Sequence, residues 1–569
     1  MVPSAIDNPP ASSDPNRPRI LVPEKVSADG LALLTPHFDV DNVTGLSADE
    51  LITKIPNYHG LIVRSETKVT SDVLKAGRKL KVVARAGVGV DNIDVPAATS
   101  QGIIVVNSPA GNIVAAAEHT IALLMAVARN VGRADGSIKA GKWERSKLVG
   151  IEVGHKTLGV IGLGKVGLKV ARMAKGLGMK VTAVDPYASP DVAREEGVTL
   201  ASSLESILPE VDFLTIHTPL LATTLDLLGE AEFQKMKKTA RVLNVARGGV
   251  YNEAALLKAL DEGWIAGAGL DVFTSEPVQP DSVAAQLTKH PKVVATPHLG
   301  ASTLEAQENV SLDVCTQVLE IMRGGLPTSA VNAPIILPEE YQKLQPSVQL
   351  VEKMGRLYTQ HFVKGQGAKV GGRKFDLVYH GDLTKMRNTR PLLAALLKGL
   401  VASFSETNVN IVNAELIAKE KDIVINETFA SESTARLYPN LVSLRAHDNG
   451  HGKPGNEQVI EGYTSGTRTY ISKLDRFNAT FSPEGTLLVL HNHDNPGKIG
   501  RVGTVLGRHE INITFMQVAG LDPVLHKNGQ EANDNEALMI LGVDGPMTDG
   551  LIDDLRKSEG ILDVSMVSL

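Results

Sequence analysis

The stretch VIGLGKVGLKVARMAKGLGMKVTAVDPY, residues 160 to 187, decides the fold of this chain. An apolar run leads into Gly162, Gly164 and Gly167, which form a G-x-G-x-x-G pattern at the start of a helical segment. Gly162 allows a tight turn, Gly164 lets a phosphate approach the backbone, and Gly167 allows close packing of helix on strand. A second apolar strand follows and ends at Asp185. This order of elements predicts a βαβ unit with a dinucleotide site.

The expected dinucleotide is NAD. The start of the helix offers unpaired N–H groups and the positive end of the helix dipole to a pyrophosphate. Asp185 can accept hydrogen bonds from ribose hydroxyls, whereas it would repel the extra phosphate of NADP. Because a nicotinamide carries hydride, the protein would have to supply an acid/base and groups that hold anions.

Parallel sheets are predicted around this unit. From residue 19 to about 300, short runs rich in β-branched residues alternate with helical segments. Most of these runs are apolar throughout, as strands buried on both faces are. There are more runs than one small sheet accommodates, so we expect two sheets in an α/β architecture.

The chain changes character after VNAP, residues 331 to 334. Residues 335 to 480 combine a long amphipathic helix with strands and polar loops, which predicts an intervening α+β domain. Residues 486 to 569 follow the order strand, helix, strand, strand, helix, strand, which predicts a ferredoxin-like βαββαβ domain. Within residues 335 to 480, His447 and His451 have a spacing that metal ligands can have. No cysteine or carboxylate pair accompanies them, so no metal site is predicted.

Composition argues against several classes of protein. The chain has 569 residues, 43% of them hydrophobic, and its net charge of −6 argues against a nucleic acid partner. No apolar run is long enough to span a membrane. The single cysteine, Cys315, fits a buried structural thiol in a reducing compartment. Residues 1 to 18, rich in Pro, Ser, Asp and Asn, are expected to be disordered and not a targeting sequence, which makes the cytosol the expected location.

Three strand ends carry the candidate chemistry: LNVARGG with Arg247, LDVFTSEP with Glu276 and TPHLGAS with His298. Ligands of open α/β sheets gather outside the carboxyl ends of the strands, so we expect these side chains at one edge. Arg247, whose neighbours Gly248 and Gly249 we expect to keep the backbone open, can hold a carboxylate with two parallel hydrogen bonds. His298 can transfer a proton, and Glu276 would orient its imidazole if the two meet. Taken singly, a capped loop histidine, a surface arginine and a solvated turn glutamate are the alternatives.

Together with longer stretches, these residues resemble the D-isomer 2-hydroxyacid dehydrogenase family. The stretches run from about residue 55 to about residue 330 and include RSETKV, ARAGVGVDNID, NSPAGNIVAAAEHT, GKWER, NVARGG, PHLGAST and VNAP. The resemblance implies that Arg247, Glu276 and His298 are the catalytic set and that NAD is the cofactor.

The resemblance also implies the domain arrangement. A Rossmann-type NAD-binding domain, residues 119 to 298, would be inserted in a flavodoxin-like substrate-binding domain, residues 19 to 118 and 299 to 327. Beyond the glycine pattern and Asp185, the implied contacts to NAD are Val88, Lys165, Val166, Thr218, Val245, Ala246, Arg247, Asp271, His298, Gly300 and Ala301.

Cations near the expected site favour a phosphorylated substrate. Arg64, which precedes Ser65, and Arg85 each end a predicted strand of the substrate domain. The resemblance implies that Arg145 in GKWER reaches the site of a neighbouring subunit, beside a dimer-forming Trp143. Each arginine alone reads as a surface ion pair, but together they favour a three-carbon phosphorylated hydroxy acid.

The branch of the family that these features resemble most oxidises 3-phospho-D-glycerate to 3-phosphohydroxypyruvate with NAD. This reaction is the first step of L-serine biosynthesis, and it is the activity we expect. One alternative is a hydroxypyruvate or glyoxylate reductase of the same family, which would need no cations for a phosphate. Another is an NAD-sensing corepressor, which shares the fold and the Arg/Glu/His set but recruits peptides.

The C-terminal domain resembles ACT domains, which are small amino-acid sensors, through HDNPGKIGRVG, residues 493 to 503. In some relatives, the positions that match Asp494 and Asn512 hold serine at a domain interface, so L-serine is an expected effector. The resemblance further implies a homodimer through the NAD-binding domain and, beyond it, a homotetramer.

Overall fold

The structure is a computed structural model, and its described strands form four sheets. It describes residues 17–333, 338–363, 370–386, 388–403, 409–430, 438, 440–447, 458–521, 536–545 and 547–569. Of the N-terminal segment 1–18 that we expect to be disordered, all but the last two residues lie outside this part of the chain, as does His451.

The first sheet is parallel and has the strand order β2-β1-β3-β4-β5. This is the flavodoxin-like order, so the predicted fold is confirmed. Its elements are β1 Arg19–Val22, α1 Ala28–Leu34, β2 Asp39–Asn42, α2 Ala48–Lys54, β3 Gly60–Val63, α3 Ser71–Ala76, β4 Val82–Arg85, α4 Val95–Ser100 and β5 Ile104–Asn107.

The second sheet is also parallel and has the order β12-β11-β10-β9-β6-β7-β8. Its first six strands in chain order follow the Rossmann arrangement, which confirms the fold predicted from the glycine pattern. Its elements are α5 Ile113–Ala128, α6 Val131–Lys139, β6 Thr157–Ile161, α7 Lys165–Gly176, β7 Lys180–Val184, α8 Pro190–Glu195, β8 Thr199–Leu200, α9 Leu204–Ile207, β9 Phe213–Ile216, α10 Glu230–Lys235, β10 Arg241–Asn244, α11 Glu253–Asp261, β11 Gly267–Leu270, α12 Val283–Lys289 and β12 Val293–Ala295.

Helix α13, Leu304–Met322, returns the chain to the first sheet. Val310, Val314 and Cys315 of this helix share a core with Ile20 and Val22 of β1. Burial raises the pKa of the Cys315 thiol to about 12, as expected for a structural cysteine. The second sheet therefore stands in the chain between two parts of the first unit.

The third sheet, with the order β14-β13-β15-β16-β17, is mixed, because only β13 and β14 run parallel. Helices α14 and α15 pack against it in one core. Its elements are α14 Pro338–Tyr358, β13 Lys374–Tyr379, α15 Arg390–Val401, α16 Ala414–Glu420, β14 Val424–Phe429, β15 Leu441–His447, β16 Gln458–Ser465 and β17 Arg468–Leu474.

The fourth sheet is antiparallel, with the order β19-β20-β18-β21. This order and the succession of elements match the predicted ferredoxin-like βαββαβ fold. Its elements are β18 Thr486–His493, α17 Lys498–Arg508, β19 Asn512–Gly520, β20 Glu536–Asp544, α18 Asp549–Lys557 and β21 Ile561–Ser568.

The third and fourth sheets share one hydrophobic core. Leu487 and Val489 of β18 pack in the same buried cluster as Leu350 of α14 and Phe375 of β13. The other face of the fourth sheet packs on α17 and α18 in a separate cluster. Each face of the four-stranded sheet is therefore covered within the chain.

Among the described residues, no single helix is long and apolar enough to cross a membrane. Helices α5 and α6 meet the criterion only as a pair, with a bend of 65° between them.

Candidate active site

The glycine turn after β6 requires glycine at two positions, because the neighbouring backbone leaves no room there for a side chain. A Cβ at Gly162, whose φ is +88°, would lie 2.8 Å from the carbonyl oxygen of His217. A Cβ at Gly167 would lie 2.0 Å from the carbonyl oxygen of Gly162. At Gly164, by contrast, a Cβ would meet no atom within 4 Å. The space in front of Gly164 is open, as it must be if a phosphate is to approach the backbone there.

Asp185 stabilises this turn from the end of β7. Its Oδ2 accepts the N–H of Leu163 at 2.8 Å, and its Oδ1 accepts the N–H of Tyr187 at 2.8 Å. A carboxylate has about four lone-pair directions, so Asp185 can still accept hydrogen bonds from a ligand. The hydroxyl of Thr218, close to Gly162, is buried and has no hydrogen-bond partner among the described residues. Lys165 and Val166, two residues that are expected to contact NAD, are the first residues of α7, and Lys165 is exposed. These residues fit a dinucleotide.

His298 and Glu276 meet, which is the condition under which Glu276 would orient the imidazole. Nδ1 of His298 lies 2.6 Å from Oε2 of Glu276, and Oε1 of Glu276 accepts the N–H of Phe273 at 2.9 Å. Burial works to raise the pKa of Glu276, but the hydrogen bonds from His298 and Phe273 outweigh it and lower that pKa. Glu276 is therefore a carboxylate at neutral pH. It engages Nδ1, so Nε2 is the ring nitrogen left for a substrate.

The turn that carries His298 is held by Asp271, whose carboxylate is fully buried. It accepts hydrogen bonds from the Thr296 hydroxyl at 2.6 Å, the Leu299 N–H at 2.7 Å and the Gly300 N–H at 2.8 Å. Nε2 of His119 lies 3.2 Å away. Although burial opposes it, the hydrogen bonds from these groups lower the pKa of Asp271.

Asp271 was predicted from the sequence as a contact to NAD, whereas His119 was not predicted. The contact of Asp271 with NAD stays a prediction, and its carboxylate oxygens are both engaged within the chain. His119, which lies on α5 in AAAEHT, was not predicted as a site residue. A lone histidine on an apolar helix was the available signal.

Arg247 lies beside the same edge, at the end of β10. Its turn is built by Asn244, a fully buried residue whose Nδ2 donates to the Arg247 carbonyl at 2.7 Å. A Cβ at Gly248 would lie 2.0 Å from the carbonyl oxygen of Phe273. The expectation that Gly248 keeps the backbone open is therefore wrong, because the space beside it is filled by the loop that leads to Glu276. At Gly249, φ is +82°.

Two further glycines make room for two arginines of the site. In RAGVGVDN, a Cβ at Gly87 would lie 2.1 Å from Nη1 of Arg85, and a Cβ at Gly89 would lie 1.9 Å from Nη2 of Arg247. Nε of Arg247 is 3.2 Å from Oδ2 of Asp91, so this pair joins the two N-terminal units. Sequence reasoning singled out the arginines but not the glycines that accommodate them.

Arg85 is a cation with unused hydrogen-bonding capacity. Its Nε is buried and has no partner among the described residues. Burial lowers its pKa to about 10, the charges of Arg247 and Arg64 act in the same direction, and Asp91 and Glu24 oppose them. The guanidinium is still charged at neutral pH, in a position where an anion would stabilise it.

Arg64 follows β3, near Arg85, and Ser65 beside it is exposed. Nη1 of Arg64 is 3.3 Å from the carbonyl oxygen of Lys25. Val88, expected near the nicotinamide, accepts a hydrogen bond on its carbonyl oxygen from Nδ2 of Asn107 at 2.5 Å.

The other predicted site residues lie elsewhere. Arg145 stands on an exposed turn next to Trp143, whose side chain is 84% exposed, and no described hydrogen bond connects it with Arg247. Asp494 and Asn512 are both exposed residues of the fourth-sheet unit. Among the described residues of one chain, no hydrogen bond or ion pair joins these three residues to the catalytic set.

Family comparisons cover two parts of the chain. The model of the D-isomer specific 2-hydroxyacid dehydrogenase NAD binding domain matches residues 121–300. The model of the D-3-phosphoglycerate dehydrogenase intervening domain matches residues 343–461.

Similar proteins extend along nearly the whole chain. D-3-phosphoglycerate dehydrogenase of Synechocystis sp. is 40% identical over 97% of this chain and 95% of its own length. The enzyme of the same name from Archaeoglobus fulgidus is 39% identical over 97% of this chain and 100% of its own. D-3-phosphoglycerate dehydrogenase 2, chloroplastic, of Arabidopsis thaliana is 43% identical over 93% and 83%.

Solved structures resemble about half of the chain. The TT0316 protein from Thermus thermophilus is 33% identical with a TM-score of 0.51, covering 55% of this chain and 99% of its own. D-lactate dehydrogenase from Aquifex aeolicus, complexed with NAD and lactic acid, is 25% identical with a TM-score of 0.50 over 56% and 99%. The glycine turn, the Arg/Glu/His set and these similarities agree: the chain belongs to the D-3-phosphoglycerate dehydrogenase family, within the NAD-binding D-isomer specific 2-hydroxyacid dehydrogenases.

Proposed function

We propose that this protein oxidises 3-phospho-D-glycerate to 3-phosphohydroxypyruvate with NAD, the first step of L-serine biosynthesis. The observation that carries the proposal is the juxtaposition of the His298–Glu276 pair with Arg247, Arg85 and Arg64 beside an open glycine turn. A substrate with a carboxylate at one end and a phosphate at the other needs cations at both ends of a proton-transfer group. Reductases of unphosphorylated hydroxy acids need cations on only one side of that group, where the carboxylate binds.

His298 is the proposed acid/base. In the oxidation, Nε2 of the neutral ring takes the proton of the substrate's C2 hydroxyl. NAD, when bound, would supply the acceptor for the hydride. The Glu276 carboxylate at Nδ1 stabilises the imidazolium that forms and fixes the ring orientation. In the reverse reaction the imidazolium returns the proton to the carbonyl oxygen.

Arg247 is the proposed clamp of the substrate carboxylate. A guanidinium offers two parallel N–H donors to a carboxylate, which adds orientation to affinity. Asp91, 73% exposed and paired with Nε of Arg247, leaves the two Nη groups for this contact. One of them also donates to the carbonyl oxygen of Ala246 at 2.6 Å.

Arg85, Arg64 and Ser65 are the proposed phosphate contacts. The support is the buried Nε of Arg85, which has no partner in the described part of the protein, next to a second cation and a small exposed hydroxyl. Burying such a donor is costly unless a ligand satisfies it. A phosphate, with its negative charge and acceptor oxygens, would do so.

The exposed apolar side chains around α6 support a homodimer through the NAD-binding unit. Val131, Ile138, Trp143 and Val149 are 53%, 57%, 84% and 79% exposed. Large apolar side chains gathered in one segment mark an interaction site more often than free surface. A second copy on this surface would also bring its Arg145 towards the substrate site, and pairing of two such dimers would give the expected tetramer.

The fourth-sheet unit supports a regulatory site for L-serine. It has the predicted βαββαβ order, and β19 and β21 are its edges. Unpaired strand edges are suited to pairing with a second copy. In such a pair, Asp494 would hold the ammonium group of serine and Asn512 its carboxylate or hydroxyl.

Removing the Arg85 side chain should weaken the binding of the phosphorylated substrate only. In Arg85→Ala, the KM for 3-phosphohydroxypyruvate should rise by about 10- to 100-fold, the worth of charge-assisted hydrogen bonds. The KM for hydroxypyruvate should change little, and Arg19→Ala, which removes an arginine at the far end of β1, serves as the control. NADH oxidation with both substrates measures this. Equal increases of both KM values would contradict a phosphate role, and a wild type that prefers hydroxypyruvate would favour the reductase alternative.

Removing the imidazole should stop chemistry and spare the cofactor. His298→Gln should lower kcat by about 10²- to 10⁴-fold, as loss of a general acid/base does. Binding of NADH, followed by quenching of protein fluorescence, should be retained. Near-normal turnover would rule out His298 as acid/base, and wild-type protein that binds NADH but turns over no hydroxy acid would favour the corepressor alternative.

Two glycine variants separate fold from cofactor binding. Gly164 has φ −69° and ψ −166°, which alanine adopts, and its Cβ would be free of contacts. Gly164→Ala should therefore keep the wild-type Tm and raise the Kd for NADH at least about tenfold, because the methyl group takes the space of the pyrophosphate. Gly167→Ala should instead lower the Tm, since its Cβ would overlap the Gly162 carbonyl. Unchanged NADH affinity in Gly164→Ala would place the pyrophosphate elsewhere.

Sedimentation and calorimetry test the assembly and its effector together. The full chain should sediment as a dimer or larger, and Trp143→Glu should shift it towards the monomer by placing a charge in the apolar contact. L-Serine should bind the wild type and bind Asp494→Ala at least about tenfold more weakly, since a charge-assisted hydrogen bond is lost. A monomeric wild type would refute the proposed homodimer. An unchanged affinity for L-serine in Asp494→Ala would refute the proposed serine site.

A further inference from the structure

A buried carboxylate that takes no part in the proposed chemistry lies close to the substrate cations. Glu24 stands just after β1 and is only 7% exposed. Its Oε1 accepts the backbone N–H groups of Arg64 and Thr67, each at 2.9 Å, and its Oε2 accepts that of Glu66 at 3.1 Å. One side chain thus gathers three N–H groups of the turn formed by residues 64 to 67.

The same turn is held from its carbonyl side. Nδ2 of Asn92 donates to the carbonyl oxygens of Arg64 at 2.9 Å and Thr67 at 2.7 Å. Asn92 follows Asp91, which pairs with Arg247 across the cleft. The backbone of the turn is therefore fixed between Glu24 and the stretch that contacts the carboxylate clamp.

The carboxylate of Glu24 accepts hydrogen bonds from backbone groups and makes no described hydrogen bond to a guanidinium. Its negative charge acts on the neighbouring Arg85, yet among the described contacts no hydrogen bond joins the two side chains, and Nε of Arg85 stays unpaired. A carboxylate bonded directly to that guanidinium would compete with an incoming phosphate. Because three N–H groups hold the Glu24 carboxylate, its charge stabilises the nearby cations without occupying Nε of Arg85.

We propose that Glu24 is a positioning residue that sets the preference for a phosphorylated substrate by holding the turn of residues 64 to 67, and with it Arg64 and Ser65, in the phosphate-binding conformation. The inference rests on the proposed function. Glu24 itself neither transfers a proton nor contacts the substrate.

Glu24→Gln tests the role with the least change of shape. Glutamine keeps one accepting oxygen, but its amide nitrogen cannot accept the third N–H and faces it with donors of its own. The KM for 3-phosphohydroxypyruvate should rise about tenfold, as loss of one charged hydrogen bond predicts. The kcat and the KM for hydroxypyruvate should stay within about twofold of the wild-type values. Glu24→Asp, which keeps the charge on a shorter side chain, should recover part of the loss.

Asp41→Asn is the matched control. Asp41 is another carboxylate of the first sheet, and it accepts hydrogen bonds from the Tyr58 hydroxyl at 2.6 Å and from Arg19, so its change to asparagine removes a hydrogen-bonded charge from the same sheet away from the turn. It should leave the ratio of the two KM values at the wild-type level.

The possible outcomes separate this inference from the function beneath it. A wild type that does not turn over 3-phosphohydroxypyruvate overturns both. Normal wild-type turnover with an unchanged KM ratio in Glu24→Gln overturns the inference alone, as does an equal rise of both KM values. Loss of folding in both Glu24→Gln and Glu24→Asp would also overturn it, because such a residue serves the fold as a whole.

Discussion

The catalytic edge depends on one buried charge. A carboxylate without access to water is tolerated only when hydrogen bonds replace its hydration, and Asp271 obtains most of these bonds from the turn after the neighbouring strand. That requirement wraps residues 296 to 300 around the end of β11. His298 takes a left-handed conformation with φ +56°, which is uncommon outside glycine, and its ring meets Glu276. The position of His298, the proposed acid/base, thus depends on the hydrogen bonds that Asp271 accepts.

Close backbone contacts complete the edge. Three consecutive parallel strands, β10, β11 and β12, end side by side and deliver Arg247, Glu276 and His298 in that order. The approach of Gly248 to the carbonyl of Phe273 sets the spacing between the first two loops. An ion pair holds the two N-terminal units together, since Asp91 of the first unit pairs with Arg247 of the second. The contact that joins the two units therefore also fixes Nε of Arg247, the proposed carboxylate clamp.

The features that could be predicted from the sequence are those that depend on residues close together in the chain. The strand–glycine–helix order, the βαββαβ succession and the acid after β7 are local patterns, and family resemblance supplied the flavodoxin-like sheet that frames them. Glu276 and His298 were expected at one edge because the carboxyl ends of parallel strands meet there.

Features that depend on distant contacts escaped prediction. Nothing near Glu24 in the sequence indicates that it gathers three N–H groups from residues 64 to 67, and nothing near His119 indicates Asp271. Gly248 shows the same limit: its freedom from a side chain was foreseen, but not the carbonyl that fills the space. A glycine in a sequence marks a crowded or unusual backbone without saying what crowds it.

The core shared by the third and fourth sheets constrains how this gene could have changed in length. A chain ending near residue 333 would keep the first two sheets with their cores intact, since those cores contain no described residue from beyond that point. A chain ending near residue 485 would strip Leu487, Val489, Leu538 and Ile540 from a core built around Leu350 and Phe375 and leave an apolar face in water. Shortening in evolution would thus remove both C-terminal units at once or neither. The solved structure from Thermus thermophilus, of which 99% aligns with only 55% of this chain, has the length that the first of these routes would give.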